Sequence, residues 1–229
     1  MNFQLYDTKF GKFLLQPDDV IANTLMADHL WEEELSLVFD KYLDRSSVVV
    51  EVGSFCGDHT VYLSKKCKTV YAFEGELTNF YHLISTLFLN DCYNVVPENR
   101  IIGNGEMVRL ASDKEGDIWG WNRRYNASGG RFVVGSGERK AERLDDLNLP
   151  PVDLLKIDVE GMDLRVLKGA SSLIDEYHPL ILFELNELVT ADPFSEYEEF
   201  IASKNYSIEN LSPGNYLATW REESHEENA

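Results

Sequence analysis

A glutamate and two glycines at fixed intervals, Glu51-x-Gly53-x-x-x-Gly57, follow the three valines Val48 to Val50. Glycine lets backbone come close to a ligand, and the free N–H groups of a helix start at Asp58 attract a negative group. Together they form a cradle of the nucleotide-binding kind. Glu74 lies 21 residues after Gly53, where a carboxylate can accept both hydroxyls of an adenosine ribose. Asp158-Val159-Glu160-Gly161 offers two further carboxylates. Either can serve as a general base, a metal ligand or a cofactor contact; the alternative is a helix N-cap at Asp158 with Gly161 at the turn. His59 follows the glycine turn and can deprotonate a hydroxyl near neutral pH, or simply occupy a helix start.

The turn is not Gly-x-Gly-x-x-Gly. A dinucleotide needs backbone to approach its pyrophosphate at the middle glycine, and Phe55 and Cys56 crowd that place. S-adenosylmethionine, which carries no phosphate, suits the turn better than a nicotinamide dinucleotide. Its candidate contacts are Glu51, Gly53, Ser54, Phe55, Gly57, Asp58, Thr60, Glu74 and Asp158. Asp158 with Glu184 or Asn186 also presents oxygen ligands of the kind Mg²⁺ takes. No dense carboxylate spacing calls for a metal, so a divalent ion is not expected. For an acceptor, Trp119, Trp121 and Tyr125 with Arg123 and Arg124 offer aromatic faces for sugar rings and donors for polar groups. A local aromatic cluster that pins its own segment is the alternative. Glu184 and Asn186 complete the candidate acceptor contacts.

These residues need elements to hold them. Val48–Val52 is a β-branched run suited to a strand buried on both faces, followed by a helix over 58–66. Strands are expected at 69–73, near 93–96, at 152–158 and at 180–185, with shorter candidates at 101–102 and 107–111. Helices are expected over 76–89, 162–174 and 193–203. Strands 205–209 and 215–220 flank Ser212-Pro213-Gly214, a hairpin connection. Before them, residues 1–45 read as a cap: a hairpin (3–6 and 12–15 around Gly11) and one or two helices over 19–43. The main domain spans 46–220, with a glycine-broken insertion at 112–142 and a polar tail at 221–229. Alternating strands and helices mean an α/β fold with a mainly parallel sheet. Ligands of such folds bind beyond the carboxyl ends of the strands, where the candidate residues fall.

Composition limits the partners. The 229 residues carry a formal charge of −19, from 40 acidic and 21 basic residues. That disfavours nucleic-acid phosphates and an anionic membrane surface. With 44% hydrophobic and 12% aromatic residues the chain can bury a core. No run approaches the about 20 apolar residues of a membrane span, and residues 3–15 lack the form of a signal peptide. Cys56, Cys67 and Cys92 match no metal motif and read as reduced thiols. Asn126-Ala127-Ser128 reads as a chance glycosylation pattern. The expectation is a soluble, cytoplasmic protein.

Val49 to Gly57, Val70 to Glu74 and Asp153-Leu154-Leu155-Lys156-Ile157-Asp158-Val159-Glu160-Gly161 together resemble the FkbM family of S-adenosylmethionine-dependent methyltransferases. Trp31-Glu32, Arg143 to Leu147 and Val166 to Ala170 extend the likeness, which runs from about residue 18 to about 217. The resemblance implies a Rossmann-like class I methyltransferase, with a seven-stranded, mostly parallel sheet whose last strand is antiparallel. It implies O-methylation of a hydroxyl, commonly on a sugar or a polyketide-type product. It places Glu51, Gly53 and Gly57 at the methionine end, Glu74 on the ribose, Asn99 at the adenine edge and Asp158 at the reacting centre. Where the family often has Asp, Ala-Asn and Pro, this chain has Glu51, Ser54-Phe55 and Gly75, and the aromatic insertion is outside the family pattern. Within that reading, Asp158 or His59 takes the hydroxyl proton, with Glu160 helping to orient a small-molecule or glycan acceptor. A nicotinamide-dependent oxidoreductase and a non-catalytic glycan-binding module are the alternatives. Oligomeric state is not legible in the sequence.

Overall fold

The computed structural model describes residues 3–15, 20–110, 132–135, 137–186, 190 and 192–222. Its centre is a seven-stranded sheet. The strands are β3 (Val48–Val52), β4 (Thr69–Phe73), β5 (Val95–Glu98), β9 (Leu154–Ile157), β10 (Leu180–Glu184), β11 (Tyr206–Ser212) and β12 (Asn215–Trp220). Their order is β11-β12-β10-β9-β3-β4-β5, and β12 runs antiparallel to both neighbours. The expected class I architecture, with its antiparallel last strand, is therefore present. β3 lies between β4 and β9, parallel to both, so the strand order reverses direction at β3/β9.

The valine run forms β3 because both its faces are covered. Val49, Val70, Leu154, Leu182 and Leu217 face one buried cluster; Val50, Val52, Leu155, Ile157, Ile181 and Phe183 face another. This period-two division puts Glu51 and Lys156 on the same face, as direct register partners. Pro97 is tolerated in β5 because β5 is an edge strand.

The N-terminal segment is the antiparallel hairpin β1 (Gln4–Asp7) and β2 (Lys12–Leu15), then α1 (Val20–Met26) and α2 (Glu33–Tyr42). Phe13, Leu15, Leu25, Leu35 and Phe39 share the cluster of Val49 and Leu154, so this cap is built into the sheet's core. α3 (Asp58–Ser64) and α4 (Leu77–Leu89) follow β3 and β4 as expected.

Three expectations differ in detail. The helix expected over 162–174 is two helices, α5 (Asp163–Gly169) and α6 (Ser171–Tyr177). A Cβ at Gly169 would run into the carbonyl oxygen of Gly103, so only glycine permits that approach. Asp145 Oδ1 then accepts from the amides of Ser172 and Leu173, each at 3.0 Å, giving α6 its own start. The last helix, α7 (Phe194–Ser203), is as expected, but β11 continues to Ser212 through an irregularity at Asn210/Ser212. The described end of the insertion is also ordered. β7 (Phe132–Val134) and β8 (Arg139–Lys140) flank β6 (Met107–Leu110) in a small antiparallel sheet. Trp119, Trp121, Arg123, Arg124 and Tyr125 lie outside the described residues.

Candidate functional site

A cavity of about 660 Å³ opens where β3 and β9 end. It is the place where parallel α/β sheets bind ligands, because two neighbouring connections leave in opposite directions. Gly53 ends β3 with φ 89°. A side chain there would strike the carbonyl oxygen of Asp158, so glycine is needed for the two strand ends to meet. Phe55 follows with φ 43°, a left-handed conformation unusual for an aromatic residue. Its amide donates to Glu74 Oε2 at 2.9 Å. The Glu76 amide donates to Glu74 Oε1 at 2.8 Å. Two backbone donors thus fix the Glu74 carboxyl in the cavity wall. Burial pushes that carboxyl up to about 7, against the pull of these two amides.

Deeper in the cavity lies a buried charge network. Thr60 Oγ1 donates to Glu51 Oε2 at 2.6 Å. Lys156 Nζ stands 3.7 Å from Glu51 Oε1 and 3.4 Å from Asp158 Oδ2. Burial by itself would lower the Lys156 ammonium; Asp158, Glu51, Glu32 and Asp58 outweigh it and hold the group above its usual range. Asp158 is not a helix cap. Asp163 holds the turn instead, its carboxyl accepting from the amides of Val159 (3.3 Å) and Gly161 (3.2 Å). Burial, then the nearby Asp158, raises Asp163 to about 7. The Asp158 side chain is left at the cavity mouth, touching Lys156.

The outer wall is acidic. Glu160, at φ 53°, and Glu184 line it with Asn186 and Tyr216. Glu32 enters from the loop before α2, its Oε1 accepting from Asn215 Nδ2 at 2.8 Å. Burial, then Asp158, raises Glu32. Burial, then Asp158, Glu160, Asp163 and Glu32, strongly raises Glu184. Among the described residues, seven carboxyl groups (Glu32, Glu51, Asp58, Glu74, Asp158, Glu160, Glu184) line the cavity against the cationic side chains of Arg100 and Lys156 and the imidazole of His59. Two buried polar atoms in this wall, Ser54 Oγ and Asp58 Oδ2, have no hydrogen-bond partner among the described residues.

Most expected site residues therefore converge: Glu51, Gly53, Ser54, Phe55, Asp58, His59, Glu74, Asp158, Glu160, Glu184 and Asn186 all line the cavity. Three stand behind it. Gly57 turns at φ 87° and packs towards Leu83, and Thr60 braces Glu51. Asn99 donates to the carbonyls of Glu74 (2.8 Å) and Gly75 (3.3 Å), while its neighbours Arg100 and Ile102 reach the cavity. Cys56, expected to crowd the turn, is buried away from the lining, whereas Phe55 is part of it. His59 is buried and its Nε2 donates to the Trp31 carbonyl at 2.8 Å; Nδ1 is then the nitrogen left to accept a proton. Lys156, Glu32 and Asp163 are site residues that motif spacing did not single out. A lysine inside the buried strand Leu-Leu-Lys-Ile was the available signal, since lysine is buried only when paired. Among the described residues no group of three His, Cys, Asp or Glu side chains is arranged to hold a metal ion. No helix among them is long and apolar enough to cross a membrane.

Residues 47–208 match the methyltransferase FkbM domain. The FkbM methyltransferase of Methylobacillus flagellatus KT superposes with a TM-score of 0.53 at 17% identity, over 77% of this chain and 44% of that one. This chain thus spans less than half of that protein's length. SMU.1697c of Streptococcus mutans, solved in complex with SAH, gives a TM-score of 0.51 at 12% identity over 83% and 99% of the two chains. Trm5b of Pyrococcus abyssi gives 0.51 at 15% identity over 96% and 55%. No curated protein sequence matches. The chain belongs to the FkbM methyltransferase domain family.

Proposed function

For this FkbM-family methyltransferase we propose S-adenosylmethionine-dependent O-methylation of a hydroxyl on a sugar, a glycan or a related small molecule. The observation that carries the proposal is the cavity wall: among the described residues, seven carboxyl groups against Arg100, Lys156 and His59, at the reversal of strand order. S-adenosylmethionine has a sulfonium and an ammonium against one carboxylate, so it is a net cation. A dinucleotide brings a pyrophosphate, which this wall repels. The unpartnered atoms fit the same cofactor: Asp58 Oδ2 can accept from its ammonium, and Ser54 Oγ can donate to its carboxylate. Glu74 keeps free lone pairs for ribose hydroxyls beside the two amides it already accepts from. Gly53, Phe55, Ile102 and Phe132 supply close backbone and apolar wall.

Bound there, the cofactor supplies a methyl carbon already activated by the sulfonium. The chain's part is to hold an acceptor oxygen in line and to remove its proton, since a neutral alcohol is a weak nucleophile. Asp158 is assigned the proton. It lies at the mouth, is not used in capping, and has the Lys156 ammonium at 3.4 Å to balance its charge. His59, engaged through Nε2 with Trp31, is the second candidate through Nδ1. Glu160, Glu184 and Asn186 would orient acceptor hydroxyls. Transfer of labelled methyl from S-adenosylmethionine to a panel of polyhydroxylated acceptors, with and without chelator, tests this. Product retained with EDTA is expected. Cofactor binding without transfer to any hydroxyl would refute O-methylation, and glycan binding without cofactor binding would favour the non-catalytic alternative.

A further inference from the structure

Helix α4 presents an apolar face to the outside. Leu77, Tyr81, Ile84 and Phe88 are 48%, 62%, 38% and 82% exposed. Their spacing of four, three and four residues is the d-a-d-a spacing of a helix that packs lengthwise on another helix. The buried face is made by Asn79, Leu83, Thr86 and Leu87, so the stripe is surplus to the chain's own core. The whole 13-residue helix, Leu-Thr-Asn-Phe-Tyr-His-Leu-Ile-Ser-Thr-Leu-Phe-Leu, has no Asp, Glu, Lys or Arg, although 27% of the chain is charged. For a protein of net charge −19, a second copy meets least repulsion at such a face.

We propose that this face joins two copies of the chain through an antiparallel α4–α4 contact about a two-fold axis. The stripe alternates aliphatic and aromatic side chains. An antiparallel pair sets Leu77 against Phe88 of the second copy and Tyr81 against Ile84, so every layer holds one of each and the layers have similar volume. A parallel pair would stack Phe88 on Phe88 and Leu77 on Leu77, one layer crowded and one thin. A two-fold contact uses the same patch on both copies, as this self-complementary order requires. With aromatic side chains of about 150–250 Å² each, the exposed parts of the stripe amount to about 400 Å² per copy. That is near half of the about 800 Å² each partner gives to a standard interface. Thr78 and Ser85 on the flanks extend it without charge; Tyr93 in the following turn, 88% exposed, donates its hydroxyl to Asp91 and marks its charged edge.

Sedimentation velocity of the full chain from about 1 to 100 μM should show a dimer. Tyr81→Glu or Phe88→Glu buries an unpaired charge in the contact and should weaken it by more than about 100-fold. Both positions are exposed in the single chain, so far-UV circular dichroism and the thermal midpoint at low concentration should be unchanged. Leu77→Cys mixed with Phe88→Cys should form an intermolecular disulfide under mild oxidation, and neither variant should do so alone; the three native cysteines are buried. A monomer throughout, a dimer indifferent to both glutamates, or a disulfide within Leu77→Cys alone would overturn the proposal. So would a monomer that uses these side chains to bind neutral phosphatidylcholine vesicles.

Discussion

The two ends of the parallel strands are built in opposite ways. At the amino ends polar groups close on one another. Asp153 Oδ2 accepts from the Val48 amide at 2.7 Å, the Asp153 amide donates to the Val48 carbonyl at 2.9 Å, and its carbonyl accepts from Leu180 at 2.9 Å. One residue thereby ties three neighbouring strands, β3, β9 and β10. At the carboxyl ends, polar groups are buried without completing their bonds. Ser54 Oγ and Asp58 Oδ2 are unpartnered, and Glu74, Asp163 and Glu184 are all raised by burial. Both ends sit on the same core. The difference separates an end whose polar groups the chain itself satisfies from one whose polar groups it leaves open.

Substitutions can break that contrast. The largest effect is expected at Lys156. Lys156→Ala leaves Glu51 and Asp158 facing each other without their cation, a loss of about 3–5 kcal/mol by urea denaturation. Glu51→Gln with Lys156→Met should recover most of it. An unchanged midpoint in Lys156→Ala would mean that the network is not charged as described. Next is Asp158→Asn. A general base contributes about 10²–10⁴ in rate, so methyl transfer should fall by that factor, with cofactor affinity within about threefold and the thermal midpoint no lower. Equal loss of affinity would make Asp158 a cofactor contact instead.

Glu74 gives the pH dependence. Its folded-state value is raised from 4.5 to about 7, and that of Asp163 from 3.8 to about 7. A raised acid favours folding most below its unfolded value. These contributions are therefore complete below about pH 4 and are lost as pH rises to about 7, on the order of 3 kcal/mol each. Glu74→Gln and Asp163→Asn should each flatten stability over that window, measured by denaturation at stepped pH. Ribose hydroxyls donate to the ionised Glu74, so cofactor affinity should fall about tenfold from pH 8 to pH 6, and Glu74→Gln should remove that slope. The smallest effect belongs to the closed end. Asp153→Ala should cost about 1–2 kcal/mol and leave cofactor affinity unchanged. A drop in affinity there would mean that the two ends are not separable.

The contrast also explains what could be read in advance. β3, β4, β9, β10 and α4 are legible because their apolar periodicity is local. Gly53, Glu74 and Asp158 are legible because a glycine turn or a carboxylate at a strand end has few other uses. Lys156 stands in the family block, but its role is not legible there, because its partner Glu51 is 105 residues away and is brought opposite by sheet register alone. Glu32 meets Asn215 only through the packing of the cap on the last hairpin. The break at Gly169 looks like helix interior until Gly103 comes against it. The family resemblance puts Asn99 at the adenine edge, whereas its side-chain amide donates to the carbonyls of Glu74 and Gly75.

The central claim, that the β3/β9 cavity is an S-adenosylmethionine site, is tested most directly by calorimetric titration of the full chain at pH 8. One equivalent of S-adenosylmethionine should bind, NAD should not, and Asp58→Ala should weaken binding by about tenfold or more, the range of a lost charged hydrogen bond. No heat from S-adenosylmethionine or S-adenosylhomocysteine, or binding that Asp58→Ala and Glu74→Gln leave untouched, would contradict it.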